Sequence, residues 1–131
     1  MTQSVNYSAC RIAMASFMLI AVSCQQQIPT IENVIINDLR MYYATFSDAV
    51  ASDSKDSDAL YRKLPSDVRS RVSHISCHDN CMVFEYRTPV LEDCTALVYT
   101  KGGIAIYERE SKLPVLRHRY LQDGWFIVDH P

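Results

Sequence analysis

Glycine is scarce in this chain, with 3 in 131 residues, and proline is sparse at 5. A sequence so poor in chain-breaking residues is not a flexible linker or a low-complexity tract. Charge of one sign is also missing. Lys and Arg number 13 against 15 Asp and Glu, a net −2, which leaves no basic footprint for nucleic acid. No internal repeat is present. The longest apolar stretch, residues 12–23, has 12 residues. Crossing a ~30 Å hydrocarbon core takes about 20, so this stretch does not span a bilayer. Neither Gly-x-Ser-x-Gly nor a glycine-rich phosphate loop occurs, and no cofactor is expected. What remains is one domain's length with 48% hydrophobic and 21% charged residues, the composition of a globular protein.

The short apolar stretch has the makings of a leader. Arg11 supplies a positive charge ahead of Ile-Ala-Met-Ala-Ser-Phe-Met-Leu-Ile-Ala-Val-Ser, which contains no charge and no proline. This is the h-region of a signal peptide. It meets Ala21-Val22-Ser23-Cys24 and then Gln25-Gln26-Gln27. The junction resembles the lipobox of bacterial lipoproteins, where the leader is cut before a cysteine that carries diacylglycerol. Ala21 departs from the leucine that the family prefers. The resemblance implies lipidation at Cys24 and a membrane anchor. Gln25, which is not Asp, implies sorting to the outer membrane, facing the periplasm, if the host is Gram-negative. Residues 1–23 are then signal peptide, 24–29 a lipidated tether and 30–131 a single domain.

In that domain Thr30 suits an N-cap, with Glu32 in the first turn where the helix dipole favours an anion. Ile31, Ile35, Leu39, Tyr42, Phe46 and Val50 recur at spacings of three and four. They predict one long amphipathic helix to about residue 51. Residues 58–64 predict a short helix ended by Pro65, and Ser66-Asp67 caps a further turn. From Cys81 the period changes to two. Strands are expected over Met82 to Tyr86, Thr95 to Tyr99, Ile104 to Ile106, Val115 to Leu121 and Trp125 to Asp129. Gly102-Gly103 and Asp123-Gly124 mark hairpins, since a type I′ turn needs φ > 0 at both central residues. Helices followed by a strand meander give an α+β fold, with the long N-terminal helix and short helices packed on a curved antiparallel sheet.

The layout, with its final Gln122-Asp123-Gly124-Trp125-Phe126-Ile127-Val128, resembles small NTF2-like lipoproteins. Cystatin-like domains share the same helix-on-meander plan. Such folds host enzymes, ligand carriers and interaction modules, so the resemblance does not choose among functions.

Of five cysteines, Cys10 leaves with the leader and Cys24 is the lipidation site. Cys77 and Cys81 flank a turn, His78-Asp79-Asn80, which predicts a Cys77–Cys81 disulfide in an oxidising compartment and leaves Cys94 free. His74, Cys77, His78 and Cys81 fall at i, i+3, i+4 and i+7, which on a helix would gather four soft ligands for zinc. The disulfided turn is the preferred reading, and no metal is expected. His118, Tyr120, Trp125, Ile127 and Asp129 share a face if the Asp-Gly turn holds two residues, and His118 with Asp129 could then act as general acid and base. Trp125 is expected to pack against the helix stripe of Leu39, Tyr42 and Phe46 or to close the mouth of the cone beside it; the alternative is that Tyr120 and Trp125 bind a partner. The leading expectation is a non-catalytic, membrane-tethered envelope module that binds an envelope protein or a small apolar ligand. The alternatives are a small NTF2-like enzyme or ligand carrier with a sheet-lined pocket, and a metal-binding lipoprotein. The anchor has a direct test. Cys24→Ser should abolish incorporation of labelled fatty acid; equal label in variant and wild type would remove the lipobox.

Overall fold

The computed structural model describes residues 30–88 and 94–131. The expected leader and tether, including Cys24, lie outside the described residues. The domain is α+β: four short helices lead into a sheet of five strands, with a fifth helix inserted between the third and fourth strands.

Helix α1 spans Ile31–Met41 and α2 spans Tyr43–Ala51. The Thr30 side chain accepts from the Asn33 amide at 3.2 Å and so caps α1. The apolar spacing predicted one helix here, but Tyr42 breaks it, with φ −119° and ψ 34°. At the break the Tyr42 hydroxyl donates to Asp67 at 2.8 Å. Backbone bonds still cross it, from the Tyr42 amide to Asp38 and from the Phe46 amide to Tyr42. The stripe therefore continues inward, with Ile35, Leu39, Phe46 and Ala49 all buried. Helix α3, Ser57–Arg62, is capped by Asp56, and α4, Ser66–Arg71, starts after Pro65. Both lie close to where the sequence placed short helices.

Strands β1 (Val72–Cys77), β2 (Cys81–Tyr86), β3 (Cys94–Thr100), β4 (Arg117–Gln122) and β5 (Trp125–His130) pair antiparallel in the order β1-β2-β3-β5-β4. Strand β1 was not expected. It turns residues 74–81 into a hairpin, not one helical face, so the arrangement that would gather His74, Cys77, His78 and Cys81 does not form. The segment expected to be a strand after Gly102-Gly103 is instead helix α5, Ile104–Ser111. Gly103, at φ 90°, accepts from the amides of Ile106 and Tyr107 and from the Thr100 hydroxyl, which starts a helix where a hairpin was predicted. Two isoleucines at period two were too short a signal against the helix-favouring Ala105, Glu108, Arg109 and Glu110. Strand β5 takes the place beside β3, and the simple meander is broken.

The sheet buries both faces unequally. On the first, α1 to α4 cover Ile75, Met82, Phe84, Tyr86, Leu97, Trp125 and Ile127. On the second, α5 brings Tyr107 over Cys81, Val83, Ala96, Val98 and Val128. Trp125 is 1% exposed and sits among Phe46, Phe84 and Tyr99 at ring separations of 5.9, 6.0 and 5.3 Å. It is a core residue, and its deletion would cost about 3–5 kcal/mol.

One carboxylate is sealed into the first core. Asp38 lies on the apolar stripe of α1 and is buried. The Arg71 guanidinium, at the end of α4, donates to both of its oxygens, Nε to Oδ2 at 2.9 Å and Nη2 to Oδ1. The Tyr86 hydroxyl on β2 donates to Oδ2 at 3.0 Å. The carboxylate raises the Arg71 pKa, and burial, then the Asp38 charge, raises that of Tyr86. Removing one partner of a buried pair strands the other charge, at about 3–5 kcal/mol, and Arg71 is itself partly open to water. Arg71→Met should therefore lose about 3 kcal/mol, or roughly 10–20 °C in Tm. Adding Asp38→Asn should restore more than half of that loss in urea melts. Additive losses would show that the stranded charge is not the cause.

Candidate functional site

The β4–β5 hairpin decides which side chains meet. Its turn is as expected: Asp123 and Gly124 both have positive φ, 48° and 87°. Gln122 pairs with Trp125, but Tyr120 pairs with Phe126, so Leu121 is the extra residue of a β-bulge. One residue of slip moves the rest of a strand to the other face. His118 and Tyr120 consequently share the second face with Phe126 and Val128, while Trp125, Ile127 and Asp129 remain on the first. This corrects the expectation that His118, Tyr120, Trp125 and Asp129 line one surface. His118 cannot work with Asp129 as an acid–base pair across the sheet. Nothing in the alternation of residues 115–121 signals the bulge.

On the second face α5 packs over β2 and β3, and on the β4 side an aromatic ladder is only partly covered, with Phe126 half-buried and His118 and Tyr120 exposed. Phe126 lies edge-on between His118 and Tyr120, at ring separations of 6.1 and 5.2 Å. Tyr120 is 59% exposed. Strand β4 is an edge strand, exposed along nearly its whole length. Its charges and its bulge are the usual guards of an edge against backbone pairing. The ladder is thus a side-chain surface.

Asp129 instead belongs to a cleft of about 360 Å³ at the end of the sheet where α1 begins. Thr95 Oγ1 donates to Asp129 Oδ1 at 2.9 Å, and Arg117 donates to Oδ2 at 2.7 Å. Across the cleft Glu32 accepts from Arg119 at 3.2 Å. His130 lines the cleft too, but both of its nitrogens are engaged. Nδ1 stands 2.6 Å from the Pro114 carbonyl, and Nε2 stands 2.6 Å from the Tyr107 hydroxyl. A carbonyl only accepts, so Nδ1 carries the proton and Nε2 accepts from Tyr107 in the neutral ring. Burial pushes the Tyr107 hydroxyl up to about 12. With both carboxylate oxygens and both ring nitrogens partnered, this constellation is built to hold the sheet end together. The signal that could have found it is a histidine at period two from Phe126 and Val128, on a strand that is otherwise apolar on that face.

The cysteine hairpin is also settled by register. Cys77 pairs with Met82 and shares its face, so Cys81, one residue earlier on β2, points to the other. Cys77 packs on the first core and Cys81 in the second. Cys77, Cys81 and Cys94 are free thiols, and the expected bridge between Cys77 and Cys81 is not formed. Asn80 fixes the turn by donating through its amide and side chain to Glu110 on α5, at 3.0 and 2.7 Å, which lowers the Glu110 pKa. His74 stands 3.4 Å from Glu85 across the strands, and His78 donates its amide to the Cys81 carbonyl in the turn. Among the described residues, no group of three or more His, Cys, Asp or Glu side chains is placed to hold a metal ion. No described helix is long and apolar enough to cross a membrane.

These observations define an α+β domain whose sheet carries four helices on one face and a single helix on the other, with edge strand β4 exposed. Comparison with family models, curated proteins and solved structures found no match.

The thiols give a pH-dependent test. Burial, above all, pushes Cys81 up from 9.0 to about 11, so it stays neutral when an exposed thiol ionises. The folded protein then holds this proton where the unfolded chain releases it, and the associated stability is lost as pH rises from about 9 towards 11. At pH 8 a thiol reagent should modify exposed Cys94 first and Cys81 last, with Cys81 reacting only on unfolding. Prompt modification of Cys81 would place it outside the second core.

Proposed function

We propose that this chain is a lipid-anchored cell-envelope lipoprotein whose domain is a non-catalytic module that binds an envelope protein through the aromatic ladder of His118, Phe126 and Tyr120. The observation that carries the reading is the unequal covering of the sheet. Four helices pack on the first face, while on the second a single helix, α5, leaves His118 and Tyr120 exposed on either side of half-buried Phe126, along an edge strand. Tyrosine and phenylalanine are enriched at the centre of protein interfaces because they bury much area at little entropic cost. The anchor rests on the lipobox-like Ala21-Val22-Ser23-Cys24, and outer-membrane sorting rests on Gln25. Use as an enzyme finds less support, because His118 and Asp129 lie on opposite faces and Asp129 is already paired. Carriage of a small apolar ligand also finds less support, because Phe46, Phe84 and Trp125 fill the space between helices and sheet.

We propose too that the domain is a variant of the NTF2-like or cystatin-like plan. Its support is the stack of α1 to α4 on one sheet face and the closing Asp123-Gly124 hairpin with Trp125. Helix α5, standing between β3 and β4, is the departure from that plan.

Tyr120→Ala tests the interaction surface. The side chain is exposed, so stability should change by less than about 0.5 kcal/mol. If Tyr120 anchors an interface, its loss costs about 1–2 kcal/mol of binding, near tenfold in affinity. Cross-linked envelopes carrying wild-type or variant protein should then differ. At least one envelope protein should co-purify with wild type and fall about tenfold with Tyr120→Ala. Identical sets from the two would overturn the reading.

A further inference from the structure

We propose that the loop over residues 112–117 is a bilayer-contacting surface, seating the domain with the cleft end of its sheet against the membrane. The inference deepens the proposed function and rests on its lipid anchor. The loop reads Lys-Leu-Pro-Val-Leu-Arg. Val115 turns inward to the second core, but Leu113 and Leu116 are 48% and 63% exposed, and Pro114 is exposed between them. Two bare leucines around a proline, with a cation at each end, have the composition of a segment that sets apolar side chains among acyl chains and basic ones among anionic headgroups.

Position identifies the occupant as lipid. Leu116 lines the same cleft as Thr30 and Ile31, the first residues of the domain. If Cys24 is acylated, residues 24–29 separate the anchor from Thr30, and six extended residues reach at most about 20 Å. This end of the sheet is therefore held within reach of the bilayer, whereas the Asp123-Gly124 turn lies at the other end of β4 and β5. Local charge agrees. Glu32 and Asp129, the carboxylates in this cleft, are paired with Arg119 and Arg117. Lys112 is exposed at the start of the loop, while the charge of Arg117, at its other end, is shared with Asp129. The loop is also held in shape, since the Leu113 amide donates to Ser111, the Pro114 carbonyl accepts from His130 and the Leu116 amide donates to Asp129. A loop so fixed presents its leucines without an ordering cost on contact.

The test uses the full chain in its own cells, grown with radiophosphorus so that phospholipid headgroups are labelled, and separately with labelled fatty acid. Photo-cross-linking variants Leu113→p-benzoylphenylalanine and Leu116→p-benzoylphenylalanine are compared with Asp58→p-benzoylphenylalanine, an exposed position on α3. All three replace exposed side chains, and correct folding is read from the melting temperature of each. The expected result is several-fold more headgroup label transferred to positions 113 and 116 than to position 58. Equal transfer at the three positions overturns the proposal. Fatty-acid label on the same proteins kept from light decides the anchor separately, since a cross-linked phospholipid would bring its own acyl chains. Label without preferential headgroup transfer refutes the loop alone. Preferential transfer without fatty-acid label supports the loop and refutes the anchor.

Discussion

A carboxylate without water must keep its cation, and in this protein that constraint ties the helical half of the chain to the sheet. Asp38 sits where an apolar residue would complete the α1 stripe between Ile35 and Leu39. Its two oxygens are instead taken by Arg71 and Tyr86, from the end of α4 and from β2. Three elements far apart in sequence are thereby fixed at one point. The Arg71 carbonyl accepts from the Arg87 amide as well, which continues the link into the end of the β1–β2 hairpin. Apolar packing alone is tolerant of small slides between a helix and a sheet, whereas a bidentate pair with a third donor admits one arrangement.

With the first face so closed, the properties of the second follow from a single extra residue. The bulge at Leu121 keeps the type I′ turn and the core position of Trp125, yet turns His118 and Tyr120 outward beside Phe126. Without it, His118 would stand beside Asp129 above the helices, and the outer face would lack its ladder. The bulge thus exchanges an acid–base geometry for a contact surface, and the proposal of a binding module rests on that exchange.

The two ends of the sheet differ in the same way. At the Asp123-Gly124 end, hydrogen bonds between strand and helix lock turns together, with Asn80 held by Glu110 and the Asp123 carboxylate accepting from Tyr43. At the other end His130 is taken by Tyr107 and the Pro114 carbonyl, and the Asp129 carboxylate by Thr95 and Arg117, while the leucines beside them are left without cover.

Local pattern was enough for what depends on local pattern. The apolar spacing of residues 31–50, the cap at Thr30, the stop at Pro65, the alternation of Met82 to Tyr86 and the Asp123-Gly124 turn all act within a few residues, and each was legible. The burial of Asp38 was not read from the sequence, because its partners Arg71 and Tyr86 lie 33 and 48 residues away along the chain. The break at Tyr42, the helix at Ile104, the opposite facing of Cys77 and Cys81 and the bulge at Leu121 depend on what lies across the sheet. Each is a choice between conformations that differ little in local energy, and the choice is made by burial and by hydrogen bonds to distant residues. A strand's alternation says that its side chains face two ways, but only the pairing register says which way each one faces.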